Sequence, residues 1–432
     1  ARDLCKVTSA YLTDEEKQDC LALSTKAKKS LMHPTEQCHK LADCIAQGVA
    51  FHHAGLDGKQ KEVVELGFKK HRAIKLIVAT TTLAVGLDLP ASWVIVRDLK
   101  RFNGAYSEFL TKMECLQMAG RAGRPRYDDK GVAVLVCGRG ELRKVRDKYV
   151  FGELEDVYSQ LSAEPSLRTH ALGLCASSYS KSFEDVFTFF QSTFYAHQYK
   201  DAQKLLSGVE KVVLELQTLD FLREKNGKLF ATPLGKRVSE LYLDPLSAST
   251  FLESMKKPLN EFSFLMALQK ASESRPLLNI KRDEERSLWE EWFAQTEGED
   301  DEEALQRFKT AKFFNAWINE ATEDEILKTF DIPPGVLHAK VRIQDWLTYS
   351  FGELAFLENR VTAHGFARKM RRRMLHGIKE ELLPLLRRGI GRVRARRLFN
   401  AGVRTKEALD ALDKDQVQKI VRSKEEAFKP EE

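Results

Sequence analysis

Cysteine is scarce and unpatterned in this chain: seven occur in 432 residues, at positions 5, 20, 38, 44, 115, 137 and 175, and no two form a C-x-x-C. An odd number without paired spacing argues against a disulfide scaffold and for a reduced, intracellular setting. His33, Cys38, His39 and Cys44 stand close together, yet match no zinc framework, so no metal is expected. No apolar run approaches membrane-spanning length and no signal peptide opens the sequence, so a cytoplasmic chain with no membrane partner is expected. Two further patterns are missing, the phosphate loop G-x-x-x-x-G-K-[ST] and the acidic box D-E-x-H. Without them the sequence holds no phosphate cradle of that type and no matching pair of magnesium carboxylates.

What is present fits a globular protein of several domains, with 43% hydrophobic and 31% charged residues and a net charge of +6. The charge is unevenly spread. Residues 366–397 hold twelve Lys or Arg against two Glu, while 297–303 is almost wholly acidic and reads as a solvated loop. A basic block in an otherwise balanced chain suggests a polyanionic partner.

Short apolar runs at 49–53, 75–79, 93–96 and 132–136 read as strands, with a helical pattern at 59–70 between the first two. Strands alternating with helices predict a parallel α/β sheet, whose ligands bind at the carboxyl ends of the strands. Residues 1–31 are helix-rich, and Leu4, Val7, Tyr11 and Leu12 suggest one apolar face. Beyond about residue 152 the pattern turns helical. It is interrupted at 221–232 by a hairpin with an Asn226-Gly227 turn, and Asp244-Pro245 marks a boundary. An aromatic-rich helical bundle follows over 246–365, most of its rings being core.

Three stretches carry chemistry. In Gln117-Met118-Ala119-Gly120-Arg121-Ala122-Gly123-Arg124-Pro125 two arginines three residues apart each follow a glycine or an alanine-glycine pair. If this run opens a helix, both guanidiniums project from one end, and guanidinium forks suit phosphate oxygens. A basic surface turn is the plainer alternative for an R-x-x-R pair. The glycine-containing stretch 79–91 follows a strand, where phosphate contact is expected. In 385–399 a Gly389-Ile390-Gly391 turn precedes a helix whose amino-terminal amides, among many arginines, suit a backbone phosphate, as in a helix-hairpin-helix.

His52-His53-Ala54-Gly55-Leu56, the 79–91 stretch and the 117–125 stretch occur in the order and spacing found in Ski-type superfamily two helicases. The chain resembles in particular the archaeal DNA repair helicases related to human helicase Q. Asp88 and Thr81 depart from the Asn and Pro usual in the family's motif. The resemblance implies an α/β plus all-α architecture. A RecA-like second motor domain spans 1–151, incomplete at its start; a winged helix follows at 152–245, a helical ratchet bundle at 246–365 and a helix-hairpin-helix domain at 366–432. It also implies that Arg121 and Arg124 act as fingers on ATP, that Gln117 orients the γ-phosphate or the attacking water, and that Gly86 and Asp88 lie near the nucleotide.

Thr80 and Thr82 would touch the nucleic-acid backbone. A hairpin within 97–106 would serve as a duplex-parting pin, with Phe102 or Tyr106 as the wedge; an ordinary surface hairpin is the alternative. Trp346 would stack on bases from a ratchet helix, although Ala339 replaces the arginine seven residues before it, leaving His338, Lys340 or Arg342 as substitutes; Trp346 as plain core is the alternative. Arg387, Arg388, Gly389, Gly391, Arg392, Arg394, Arg396 and Arg397 would hold DNA phosphates.

The function implied is the C-terminal half of an ATP-dependent DNA helicase that translocates on single-stranded DNA and unwinds forked or branched duplexes in replication-linked repair. ATP and Mg2+ would be bound by the full-length enzyme and by this chain alone not at all. The partners expected are single-stranded and forked DNA, an N-terminal RecA-like domain carrying the absent motifs, and replication-fork or single-strand-binding proteins. An ATPase-less nucleic-acid-binding protein and an RNA helicase of the same superfamily remain as alternatives.

Overall fold

The structure, a computed structural model, describes residues 1–31, 34–83, 89, 91–102, 107–123, 128–162, 164–295, 301–387 and 390–422. Contacts divide the chain into two compact units, one made of residues 1–157 with 331–338 and the other of the remainder. The chain is largely helical.

The first unit runs α1 (Arg2–Ser9), α2 (Asp14–Lys28), α3 (Glu36–Ile45), β1 (Val49–His52), α4 (Gly58–Lys69), β2 (Leu76–Ala79), β3 (Trp93–Val96), β4 (Lys100–Phe102), β5 (Ser107–Phe109), α5 (Lys112–Ala119), β6 (Val132–Leu135) and α6 (Leu142–Arg146). All four strands expected for the sheet form. Among the described residues they pair as two parallel ladders, β1 with β2 (Val49 opposite Leu76) and β3 with β6 (Trp93 opposite Val132). Helices α2, α3 and α4 cover the first ladder around Leu23, Leu41, Ile45, Ala50, Val64 and Ile74.

The single apolar face expected over the first residues does not form. Thr13 accepts from the Glu16 amide while the Glu16 carboxylate accepts from the Thr13 amide, and this capping box starts a new helix and breaks the pattern. Of the four residues in that face only Leu12 enters the core. Leu4, Val7 and Tyr11 are 40%, 60% and 79% exposed, and Cys5 takes the inner position of α1. Parallel ladders are ordinarily covered on both faces. In β3–β6, Val94, Val96 and Leu135 face a core with Cys115 and Tyr149, whereas Trp93 and Ile95 on the opposite face are 63% and 62% exposed.

The second unit begins with α7 (Glu164–Ala176), α8 (Phe183–Gln191), α9 (Phe194–Tyr199) and α10 (Ala202–Thr218), followed by the hairpin β7 (Leu222–Lys225) and β8 (Lys228–Ala231) and by α11 (Pro233–Glu240). Asn226 and Gly227 both take positive φ, 54° and 71°, as a two-residue turn matched to strand twist requires. Buried Arg168 of α7 donates to both oxygens of Asp244 (2.9 and 3.2 Å) and to Glu215 (2.8 Å), and Asp244 in turn caps the next helix through the Leu246 amide.

That helix is α12 (Pro245–Ser254), and with α13 (Glu261–Gln269), α14 (Glu285–Gln295), α15 (Glu302–Ile318), α16 (Glu323–Phe330), α17 (Pro334–Leu357) and α18 (Val361–His376) it makes the expected all-helical stretch. Rings do fill its interior: Phe264 contacts Phe351 and Phe366 edge-on, and Trp317 is buried with its indole donating to the Met374 carbonyl at 2.7 Å. One continuous helix, α18, runs across residues 365 and 366. A smaller core built on Ile378, Leu382, Leu385, Ala395 and Leu398 unites a short 3-10 turn (Glu380–Leu385) with α19 (Arg392–Asn400), α20 (Lys406–Asp410) and α21 (Lys414–Arg422).

Candidate functional site

Two of the singled-out stretches meet in the first unit. Thr111 and Glu114 form a capping box that fixes the start of α5 six residues ahead of Gln117, and Gly120 caps its other end. The 117–123 run therefore closes a helix instead of opening one, which corrects the sequence expectation. Gln117 is exposed in the last turn, and Arg121 lies just beyond it, half-buried. After the helix the backbone turns extended and pairs with the end of the 79–91 stretch. The Ala91 amide donates to the Arg121 carbonyl (2.9 Å) and the Gly123 amide to the Ala91 carbonyl (2.7 Å).

Gly123 holds φ at +94°, where an L side chain is strained, and Gly131 lies so near that a Cβ on it would strike the backbone of Ala122 and Gly123. No motif pointed to Gly131; its signal is only the glycine preceding a strand. Arg124, Gly86 and Asp88 lie outside the described residues.

Thr80 sits at the carboxyl end of β2, exposed, with its amide donating to the His52 carbonyl at the end of β1 (3.2 Å). This brings the 52–56 and 79–91 stretches together. The backbone of Thr82 lies in a 3-10 turn (Thr81–Leu83). His53 accepts the Gly55 amide on Nδ1 (3.1 Å) and stacks on Phe51. Burial, with the Lys61 ammonium second, pushes the pKa of both His52 and His53 down, so the loop is held by neutral imidazoles. The Gly55 carbonyl accepts from the Gly335 amide (3.0 Å) and from the Gln37 side chain (3.1 Å).

The expected hairpin forms from β4 and β5, antiparallel, with Phe102 opposite Ser107 at its outer end; Tyr106 lies outside the described residues. Its foot is fixed by Tyr149, a residue no motif pointed to. The buried Tyr149 hydroxyl donates to the Leu110 carbonyl at 2.8 Å, and burial pushes its pKa up to about 12.

In the second unit Trp346 is half-buried on α17 and its indole N–H donates to the Leu241 carbonyl at 3.0 Å, so its edge is anchored. One and two turns on, Tyr349 and Glu353 of the same helix bind Arg237 at 3.1 and 2.6 Å. Of the substitutes for the absent arginine, Lys340 donates to the Pro276 carbonyl (2.5 Å) and His338 has its own interactions. Arg342 is exposed one turn before Trp346 on the same side of the helix.

The basic block proves largely engaged within the protein. Arg371 pairs with Asp345 at 2.7 Å and lies over the Tyr349 ring, while buried Arg373 donates to the carbonyls of Ile378 and Ile318 and pairs with Glu261. Arg392 lies 4.4 Å over the Trp317 ring and donates to the carbonyls of Glu320 and Ala321 at 2.8 and 2.6 Å. Arg396 binds Glu320 and Glu381, Arg397 donates to the Val421 carbonyl, and Arg387 pairs with Asp410. Arg394 is exposed. Gly391 caps α19 without a side chain; Arg388 and Gly389 lie outside the described residues.

Two stretches of the chain match models of helicase domains. Residues 3–126 match the helicase conserved C-terminal domain, a RecA-like fold, and residues 263–377 match domain 4 of archaeal helicases. Over most of its length the chain is similar to proteins named ATP-dependent DNA helicase Hel308. It is 38% identical to that of Methanococcus vannielii across 92% of this chain and 37% identical to that of Pyrococcus horikoshii across 95%. With that of Pyrobaculum calidifontis it shares 40% identity across 85%. The chain spans 59%, 58% and 53% of the length of these three relatives.

Proposed function

We propose that this chain is the C-terminal part of a Hel308-type, ATP-dependent DNA helicase of the Ski-type superfamily two lineage, related to human helicase Q. In the whole protein it translocates along single-stranded DNA and unwinds forked duplexes. The observation that carries this reading is the similarity to proteins so named across 92% and 95% of the chain, through both of its units. The geometry agrees in chemistry: Arg121 follows a helix end held against Ala91 by two backbone hydrogen bonds, which fixes where a guanidinium can reach.

In this reading Arg121 and Arg124 meet the terminal phosphate of ATP, and Gln117 orients it or the attacking water. Gly86 and Asp88 lie near the nucleotide, and Thr80 and Thr82 near the strand's backbone. Guanidinium and amide donors fit phosphate oxygens and do not ligate magnesium. In this reading the Mg2+ carboxylates and the phosphate loop are supplied by an N-terminal RecA-like domain. Residues 152–245 act as a winged helix, α17 as a ratchet helix presenting Trp346 to the strand with His338, Lys340 or Arg342 in place of the missing arginine, and 366–432 as a helix-hairpin-helix domain.

ATP turnover tests this. The isolated chain should show none above background, with or without single-stranded DNA. Joined to a domain bearing the phosphate loop it should turn over ATP, and Arg124→Ala should abolish that activity. Substantial hydrolysis by the purified chain alone would overturn the proposal.

A further inference from the structure

We propose that the foot of the β4–β5 hairpin, where Lys100, Lys144 and Lys148 surround Phe109, is a contact surface for the phosphate backbone of double-stranded DNA. This inference rests on the DNA reading above and adds to it the place where the duplex is held. The three ammonium groups lie 4.7, 4.8 and 6.0 Å from the centre of one ring. Only Lys100 has a carboxylate partner, Glu141 at 2.5 Å; Lys144 and Lys148 have none within ion-pair distance among the described residues. Arg143, on the same helix as Lys144, is 90% exposed at its side chain and lies 3.9 Å from the Asp147 carboxylate. Each ammonium group gains modestly from the ring, and a phosphate would attract all three.

The kind of contact follows from the side chains. Lys100 and Lys144 lie over the Phe109 ring, which also packs against the core beneath it, so the ring is not presented to a base as a single-strand platform would be. Ammonium groups are compact point charges without the fork that reads a base edge, and they suit sequence-independent contact with phosphates. The surface is rigid, because Tyr149 ties Leu110 at the foot of the hairpin. Phe109 lies two residues, about 7 Å, from the outer end of β5. A duplex held at this foot would meet the hairpin where its strands are to part.

The test uses the whole chain and fluorescence anisotropy, with a short blunt duplex and one of its single strands as probes, across a salt series. Each phosphate contact on duplex DNA contributes about 0.9 to the slope of log affinity against log salt. Lys144→Gln with Lys148→Gln should therefore lower the duplex slope by about 1.8 and leave the single-strand slope unchanged. Lys144→Arg with Lys148→Arg, which keeps the charge, should retain both slopes, and melting temperatures of all three proteins establish that they are folded. An unchanged duplex slope in the Gln pair, an equal fall on the single strand, or no duplex binding by the unsubstituted chain would each overturn the inference. ATP turnover is not read in this assay, so failure of the helicase reading and failure of this surface are distinguishable.

Discussion

Replacing Trp346 in two ways separates a ring that touches DNA from a ring that merely packs. The indole N–H donates to the Leu241 carbonyl at 3.0 Å while the ring is only half-buried. Trp346→Phe keeps an aromatic face and deletes that bond, which leaves Leu241 unpaired. The expected cost is about 1 kcal/mol of stability, seen as a fall of about 2–4 °C in melting temperature for a unit of this size. Affinity for single-stranded DNA should stay within a factor of about two, because every ring offers a stacking face.

Trp346→Ala removes the ring. A stacked base is worth about 1–3 kcal/mol, so strand affinity should fall about 5- to 150-fold. Stability should drop by about 2 kcal/mol, less than the roughly 3–5 kcal/mol of a fully enclosed aromatic, since part of the side chain already meets solvent. Anisotropy on an oligothymidine and thermal melting, read on the same preparations, give both numbers. A loss of stability equivalent to a fully buried ring, with affinity per folded molecule unchanged, would refute the stacking role.

Among the arginines of α19, Arg394→Gln should lower the salt dependence of strand binding by about 0.7 in slope with little change in melting. Arg392→Leu should instead cost about 1–3 kcal/mol of stability, because two carbonyls lose their donor. Equal effects of the two variants on binding would refute this division. Arg168→Ala strands the carboxylates of Asp244 and Glu215 and should destabilise the second unit by about 3–5 kcal/mol, measured by denaturant melting.

Acid should weaken the first unit through His52 and His53, whose folded pKa values lie below the ordinary histidine value of about 6.5. Below that value the unfolded chain takes up protons that the folded chain refuses. Stability is thus complete above pH of about 6.5 and falls as pH drops toward the lowered pKa values. His52→Gln with His53→Asn should flatten melting temperature against pH between about 7.5 and 5.5, and an unaltered profile would rule the pair out as its source.

The strands were legible because each is a short, mostly apolar run, and such runs have few alternatives to a ladder. The β7–β8 hairpin was equally plain, since Asn226-Gly227 names the turn that twisted strands require. The opening helices were misread because hydrophobic spacing was carried through a capping box: Thr13 and Glu16 satisfy each other's backbone amides and restart the helix regardless of what lies on its face. The same device at Thr111 and Glu114 starts α5 six residues before Gln117, so the 117–123 run ends a helix. Capping residues, not apolar period, set these boundaries.

The arginine block shows why charge counts alone overstate a binding surface. Twelve basic residues against two acidic ones in 366–397 look largely unpaired when only that window is counted, but beyond Glu380 and Glu381 further partners come from elsewhere in the chain or carry no charge at all. Glu261, Asp345 and Asp410 lie outside the window, and Arg373, Arg392 and Arg397 are satisfied in part or whole by backbone carbonyls, which no composition records. A guanidinium has five donors, so a short loop that exposes several carbonyls, such as 318–321, binds an arginine as firmly as a carboxylate would. Where a cation can find such a loop, its presence in sequence says little about ligands. Where it lies on an exposed helix face, as Arg394 and Lys144 do, it is open to a partner from outside the chain.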